Sequence, residues 1–254
     1  MAVSGMSSVH TTLRVLEEVA HRQPVGVSDL ARVMDLPKTS VQRCLVTLRE
    51  SGWLRVVDDR SRWGVTSKPF EIGLRSIGTD QIREVGRPYI ERLRLQTDET
   101  VHLSVLSGDS IVIVSREDSL QPVRTYVALG TRAPLHATSS GLAILAAMPD
   151  EEVERHLNRS LDGYTETTIV DTRDLKREIA RTRERGYAVN QASWWRAGVS
   201  AVGAAVATSS GRPVAAIAIS IPTSRFETER APHLGASALE TAKKIGNALG
   251  SRSG

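Results

Sequence analysis

Along the first 50 residues apolar positions recur at helical intervals, and they then break into short alternating runs. Val9, Leu13, Leu16 and Ala20 stand at i, i+4, i+7 and i+11, which predicts the core stripe of a first helix ended by Gln23-Pro24. Ser28 is placed to cap a short second helix over 29–34 by accepting backbone N–H bonds. Leu36-Pro37 closes it, because the residue before a proline is pushed out of the α region. A third helix starts near 37–39. Val41, Cys44, Leu45 and Leu48 form its inward face, and Thr39, Gln42, Arg43, Val46 and Thr47 lie on or toward its outer one. Ser51-Gly52 ends that helix. Residues 53–57 and 63–66 then read as strands around the turn Asp58-Asp59-Arg60-Ser61. Helix, tight turn, helix and two-strand ribbon describe a winged helix-turn-helix. Its third helix has a compact polar face, sized for a major groove and equipped to meet base edges.

Residues 68–77 keep helical spacing at Phe70, Leu74 and Ile77, with Gly78 as a stop, and read as a connector. A further helix over 82–95 turns Ile82, Val85, Tyr89 and Leu93 inward. From Thr100 the period becomes two, on both sides of Gly108-Asp109, which is the signature of a β-hairpin. Residues 123–129 read as a third strand, and 138–148, 151–157 and 171–185 as helices. After Gly186-Tyr187 an extended region leads to two strands of small residues joined by Ser209-Ser210-Gly211-Arg212, and a last helix runs from about 236 to 249. The element order predicts an α+β fold with a mainly antiparallel sheet. The expected domains are 1–67 for DNA binding, 68–80 as a linker helix, and 81–254 for effector binding and oligomerisation.

Charge sharpens the N-terminal picture. The chain of 254 residues carries a net charge of +4. Residues 37–68 alone hold seven basic against three acidic side chains, which equals the whole excess. A local basic footprint on a helix and hairpin attracts backbone phosphates. The expected DNA contacts are Lys38, Thr39, Ser40, Gln42, Arg43 and Thr47 on the helix, with Arg60 and Arg62 on the wing. Met1–Ser8 lacks the basic and apolar runs of a secretion signal, and no stretch approaches the ~18–20 apolar residues of a membrane span, so a cytoplasmic location is expected. The single cysteine, Cys44, leaves no intramolecular disulfide and fits a reducing compartment.

The chain offers little catalytic chemistry. There is no Gly-x-Ser-x-Gly elbow, no Gly-rich dinucleotide or Walker loop, and no His or Cys pair at ligand spacing with an acidic third partner. No catalytic residue, cofactor or metal is therefore assigned. His102 sits in an alternating strand and reads as a structural residue. His136 precedes a helix start where Thr138, Ser139 and Ser140 either cap the helix or hold an anion. Trp194-Trp195 reads as partly buried at a domain or subunit contact rather than as a stacking platform.

Taken together, VSDLARVMDLPKTSVQRCLVTLRESGWL, LGTRAPLHATSSGLAILAAMP, the Arg-Gly-Tyr-Ala of 185–188 and GVSAVGAAVATSSGRPVAAIAISIP resemble the IclR family of bacterial transcriptional regulators over nearly the whole chain, in the same order. The resemblance implies a winged helix-turn-helix, a linker helix and a GAF-like effector-binding domain, in a homodimer or homotetramer that binds a DNA operator as repressor or activator. It places the effector at Ser139, Asn190, Val199, Ala201, Ala218 and Ser220. Strand geometry agrees in part, since Val199 and Ala201, and Ala218 and Ser220, are two apart and share a face. Asn190 stands where the family commonly has an acid, Ala201 where it often has cysteine, and Leu142 where lysine is frequent; the last is expected on the outer face of its helix. The expectation is a ligand-responsive regulator of a palindromic operator, controlled by a small, anionic metabolite. The alternatives are an enzyme with an attached DNA-binding module, and a structural DNA-binding protein without effector.

Overall fold

The computed structural model describes residues 5–73, 77–191 and 193–251, with 77–80 described by their backbone alone. The chain forms two compact units that divide between Ile77 and Gly78.

The first unit holds helices α1 (Ser7–Arg22), α2 (Val27–Met34), α3 (Lys38–Glu50) and α4 (Lys68–Gly73), and strands β1 (Leu54–Val56) and β2 (Trp63–Val65). Val41, Leu45 and Leu48 of α3 join Leu30 of α2, Leu54 of β1 and Trp63 of β2 in one core. Each fully buried leucine of this set contributes about 1.5–3 kcal/mol by leaving water. Two local expectations fail. α1 buries Val15 and Val19, while Val9 and Leu13 stay about half exposed and Ala20 is exposed. The helix is turned by roughly one residue position from the apolar stripe, because Thr12 faces α3 and donates to Cys44 Sγ at 3.5 Å. Ser28 caps nothing. A bridge between Val25 and Trp63 pins the chain just before α2, which starts at Val27 with Gly26 in the cap position.

The second unit is a six-stranded antiparallel sheet in the order β5-β4-β3-β8-β7-β6. Its strands are β3 (Thr100–Ser107), β4 (Ser110–Glu117), β5 (Arg132–Pro134), β6 (Ala188–Asn190), β7 (Val199–Ala207) and β8 (Pro213–Pro222). Alternation sorts each strand between two faces. Leu103 of β3, Val202 of β7 and Ile217 of β8 meet α5 (Ile77–Thr97) and α9 (Ala231–Gly250) in one core. The other face carries α6 (Ser139–Ala147), α7 (Asp150–Leu157) and α8 (Thr172–Arg185), which share a second core with Ala188 and Ala216. The α+β expectation with a mainly antiparallel sheet is therefore met.

The structure departs from the sequence pattern at several places. Gly78 stops no helix, since α5 already runs through it, and Leu74 lies outside the described residues. The last helix begins at Ala231, five residues before the predicted start. Leu142 is fully buried in the second core rather than on an outer face. Residues 123–129 form no strand. Their alternation is real, with Thr125 and Val127 buried and Tyr126 exposed. Their hydrogen bonds, however, run to side chains instead of a ladder: Thr100 and Arg116 donate to the Thr125 and Val127 carbonyls, and the Thr125 hydroxyl donates to the Ser220 carbonyl. The third strand of this unit in chain order is β5 instead, at one edge of the sheet.

Candidate functional site

On α3, the residues opposite the core are free to meet DNA. Lys38, Thr39, Gln42, Arg43 and Thr47 are exposed, and Ser40 is half-buried toward α1. Arg43 has no ion-pair partner among the described residues. The wing is organised by Asp58, whose carboxylate accepts from the backbone N–H of Arg60 and Arg62 and from Arg62 Nε at 2.5 Å. Arg62 is thereby partly neutralised, and Arg60 is the exposed cation of the turn. Lys68 serves the base of the wing instead, donating to the Ser51 carbonyl at 2.5 Å and lying over Trp53.

In the second unit a cavity of about 60 Å³ lies between the sheet and the N-terminus of α6. Ser139, Asn190, Val199, Ala201, Ala218 and Ser220 all line it. The strand register explains why residues distant in sequence meet. Asn190, Ala201 and Ser220 are direct cross-strand partners in one row, and Gly203, Ala218 and His102 are partners in the next. Alanine at 201 and 218 leaves the space between the sheet and α6 unfilled. Glycine sets the height of the helix above it. A Cβ on Gly203 would come 2.8 Å from the backbone C and O of Ser139, and one on Gly141 would come 2.3 Å from the Leu135 carbonyl oxygen. Both positions require close backbone approach, which only glycine permits.

The polar groups are already partly engaged. Thr138 caps α6, accepting from Gly141 N–H at 3.0 Å and donating to the Pro134 carbonyl at 2.9 Å, so its hydroxyl is not available to an anion. Ser139 and Ser140, both buried, remain at the helix start, where the first N–H groups have no partner within the helix. Asn190 Oδ1 accepts from Trp194 N–H at 3.3 Å. Ser220 Oγ lies 3.1 Å from His102 Nδ1. His136 faces away from α6, with Nε2 at 3.0 Å from the Asp162 carbonyl, in a separate, more polar hollow with His156 and Tyr164.

The cavity is also lined by residues outside the expected effector set, among them His102, Ser104, Trp195 and Arg196, with Gly203 beneath the helix start. His102 and Ser104 line the cavity, and His102 Nε2 and Ser104 Oγ are buried without a hydrogen-bond partner among the described residues. Burial, with the positive charge of Arg116 and then Arg196 outweighing Asp118, pushes the His102 imidazole down from 6.5 to about 4, so the ring is neutral near pH 7. Trp194 is buried in the second core, whereas Trp195 lines the cavity with Arg196 stacked on its ring at 4.4 Å. Arg196 also reaches the Tyr126 carbonyl at 3.3 Å. The signal for His102 was its strand: a polar pair at 102 and 104 in a strand covered on both faces needs partners on its own side.

A winged-helix unit with an open recognition face, joined in one chain to a sheet unit enclosing a small cavity, defines the class: a ligand-responsive transcriptional regulator rather than an enzyme. Residues 7–58 match the IclR helix-turn-helix domain, and residues 75–247 match the bacterial transcriptional regulator IclR C-terminal domain. The chain belongs to the IclR family of bacterial transcriptional regulators. It is 34% identical, over 89% of its length and 83% of the relative's, to the HTH-type transcriptional repressor AllR of Klebsiella pneumoniae. It is 31% identical to the crystal structure of a putative transcriptional regulator from Rhodococcus sp. RHA1, with a TM-score of 0.79, covering 98% of this chain and 100% of that one. An IclR homologue from Microbacterium hydrocarbonoxydans, crystallised in complex with 4-hydroxybenzoate, shares the fold at 24% identity and TM-score 0.81 over 97% of this chain and 100% of its own.

Proposed function

We propose that this regulator binds a palindromic operator through α3 and the wing, and that a small carboxylate in the cavity above Ala201 and Ala218 sets its affinity for that operator. The observation that carries the effector half is the cavity itself: small side chains on adjacent strands leave room beneath the α6 N-terminus, and a few placed polar groups in an otherwise apolar hollow are what a ligand site needs. Orphaned N–H groups at a helix start favour an anion, and Arg196 adds positive charge at the lining. The complex of a same-fold homologue with 4-hydroxybenzoate agrees with a carboxylate.

For DNA, Arg43, Gln42 and Thr39 would read base edges, and Lys38 and Arg60 would meet phosphates. Thr47, Ser40 and Arg62 would flank them. The protein would act as a homodimer or homotetramer in the cytoplasm. Exposed apolar side chains support self-association, among them Val9 and Leu13 on α1 and Leu120, Val123 and Leu129 in the second unit. Among the described residues no helix is long and apolar enough to cross a membrane.

Operator selection from random duplexes, followed by footprinting and native mass spectrometry of the complex, tests the DNA half. The expected result is two inverted half-sites occupied by two or four protomers. Arg43→Ala should cost about 1–3 kcal/mol and relax preference at one position per half-site. One asymmetric half-site bound by a single protomer would rule the arrangement out.

A further inference from the structure

We propose that Val46 on α3 contacts the 5-methyl group of a thymine in each operator half-site, and so selects thymine over cytosine close to the base pair that Arg43 reads. The inference rests on the reading of α3 as the helix that enters the major groove, and it gives a base-selecting role to a residue that this reading left without one.

α3 has one more apolar residue than its core uses. Val41, Leu45 and Leu48 are buried and Cys44 packs partly against them, while Val46 is in neither group among the described residues. It is half-buried and keeps surface outside that core. At about 100° per residue, Val46 lies roughly 130° around the helix from the middle of the buried stripe. Its neighbours on that side are Thr39, Gln42 and Arg43, at i−7, i−4 and i−3, and all three are exposed. A valine at such a position weakens the helix, because its branched side chain ranks below alanine and the straight-chain residues as a helix former. Neither packing nor helix propensity accounts for it.

Its chemistry narrows what it can meet. Valine offers methyl groups and no hydrogen bond. In the major groove every base pair shows donors or acceptors, and thymine alone adds a methyl. Methyl against methyl takes apolar surface out of water. Against cytosine the same side chain would cover the N4 amino group without pairing it, and a donor taken from water unpaired costs free energy. The position favours thymine by what it gains and rejects cytosine by what it cannot satisfy. Spacing says where the thymine falls. Three residues advance α3 by about 4.5 Å, and base pairs stack about 3.4 Å apart. With α3 lying along the groove, the thymine is therefore about one or two base pairs from the pair read by Arg43.

The test uses the full-length protein and the operator selected from random duplexes. Its thymines are replaced one at a time by deoxyuridine, which keeps the pairing and removes only the methyl. Binding is measured for wild type, Val46→Ala and Arg43→Ala. Val46→Ala removes no side chain from the core and places a better helix former on α3, so the fold is retained. The expected result is one thymine per half-site, within about two base pairs of the position where Arg43→Ala relaxes preference, whose replacement weakens wild-type binding about fourfold. Replacing both symmetry-related thymines should weaken it about tenfold or more. In Val46→Ala the same replacements should lose most of their effect, which assigns the contact to Val46 rather than to the methyls of Thr39 or Thr47. If Arg43→Ala relaxes its own position but no thymine in that window is sensitive to its methyl, the inference is overturned and α3 stays the reading helix. A methyl effect of undiminished size in Val46→Ala would overturn it as well. If Arg43→Ala changes preference at no position, the reading of α3 falls and this inference falls with it.

Discussion

At the scale of single residues, burial sets the charge state of His102. It is 3% exposed, lies on a row of small side chains, and is neutral when folded. The sign of its linkage follows directly. A histidine whose folded value falls from 6.5 to about 4 binds fewer protons folded than unfolded between those limits. Its unfavourable protonation therefore lowers stability as pH falls from about 6.5, and the loss levels off below about 4. Between pH 7 and pH 5 this one group should cost on the order of 2 kcal/mol. Urea melts of the second unit's transition in the full chain should show that loss in wild type and a flatter profile in His102→Gln, which cannot titrate. Equal slopes in the two proteins would mean that His102 is not held neutral. The sequence alone could not rank this histidine, because the cost of burying it depends on Ser220, 118 positions away, and on a face of the sheet that pairing alone defines. Ser139, Asn190, Val199, Ala201, Ala218 and Ser220 were legible through the family resemblance, and the period-two spacing within β7 and β8 supported four of them.

At the scale of elements, the position of α6 over the sheet depends on two glycines. Gly203 lets the helix start descend onto β7, and Gly141 lets the first turn pass the Leu135 backbone. Gly203→Ala should lift α6, cost about 1–3 kcal/mol of stability, and weaken binding of the carboxylate that binds wild type by roughly tenfold or more while DNA binding without ligand is retained. A Gly203→Ala protein with wild-type ligand affinity would show that the helix start does not hold the ligand. Local spacing predicted α3, β4 and α8 because their periodicity and their burial coincide, and it predicted β3 from its alternation although that strand is buried on both faces. It failed where tertiary contacts redirected the backbone. Residues 123–129 alternate like a strand, yet side-chain donors take their carbonyls. The stripe Val9-Leu13 on α1 is apolar and helical, but the helix packs through Val15 and Val19 instead. Leu142 shows the same limit: a departure from the family pattern that reads as a surface change is a core residue beside Ile144 and Leu145.

At the scale of the whole molecule, one chain carries a DNA-binding unit and a second unit with a small cavity, and the proposed regulation requires a free-energy coupling between them. Such couplings are typically about 1–3 kcal/mol, or 5–150-fold in affinity, and they are reciprocal. The basic footprint of 37–68 was legible as a charge count, but its division was not: Arg62 is paired with Asp58 and Lys68 braces Trp53, which leaves Arg43 and Arg60 among the cations presented to solvent. The most direct measurement is the dissociation constant for the selected operator with and without a saturating concentration of a small carboxylate found by thermal shift to bind the protein, in wild type and in Ala201→Phe. The coupling predicts a shift of 5–150-fold in wild type, an equal shift in acid affinity when operator is saturating, and no shift in Ala201→Phe, whose operator affinity without acid matches wild type because its ring fills the cavity. An operator affinity in wild type that does not change when the cavity is saturated would contradict it.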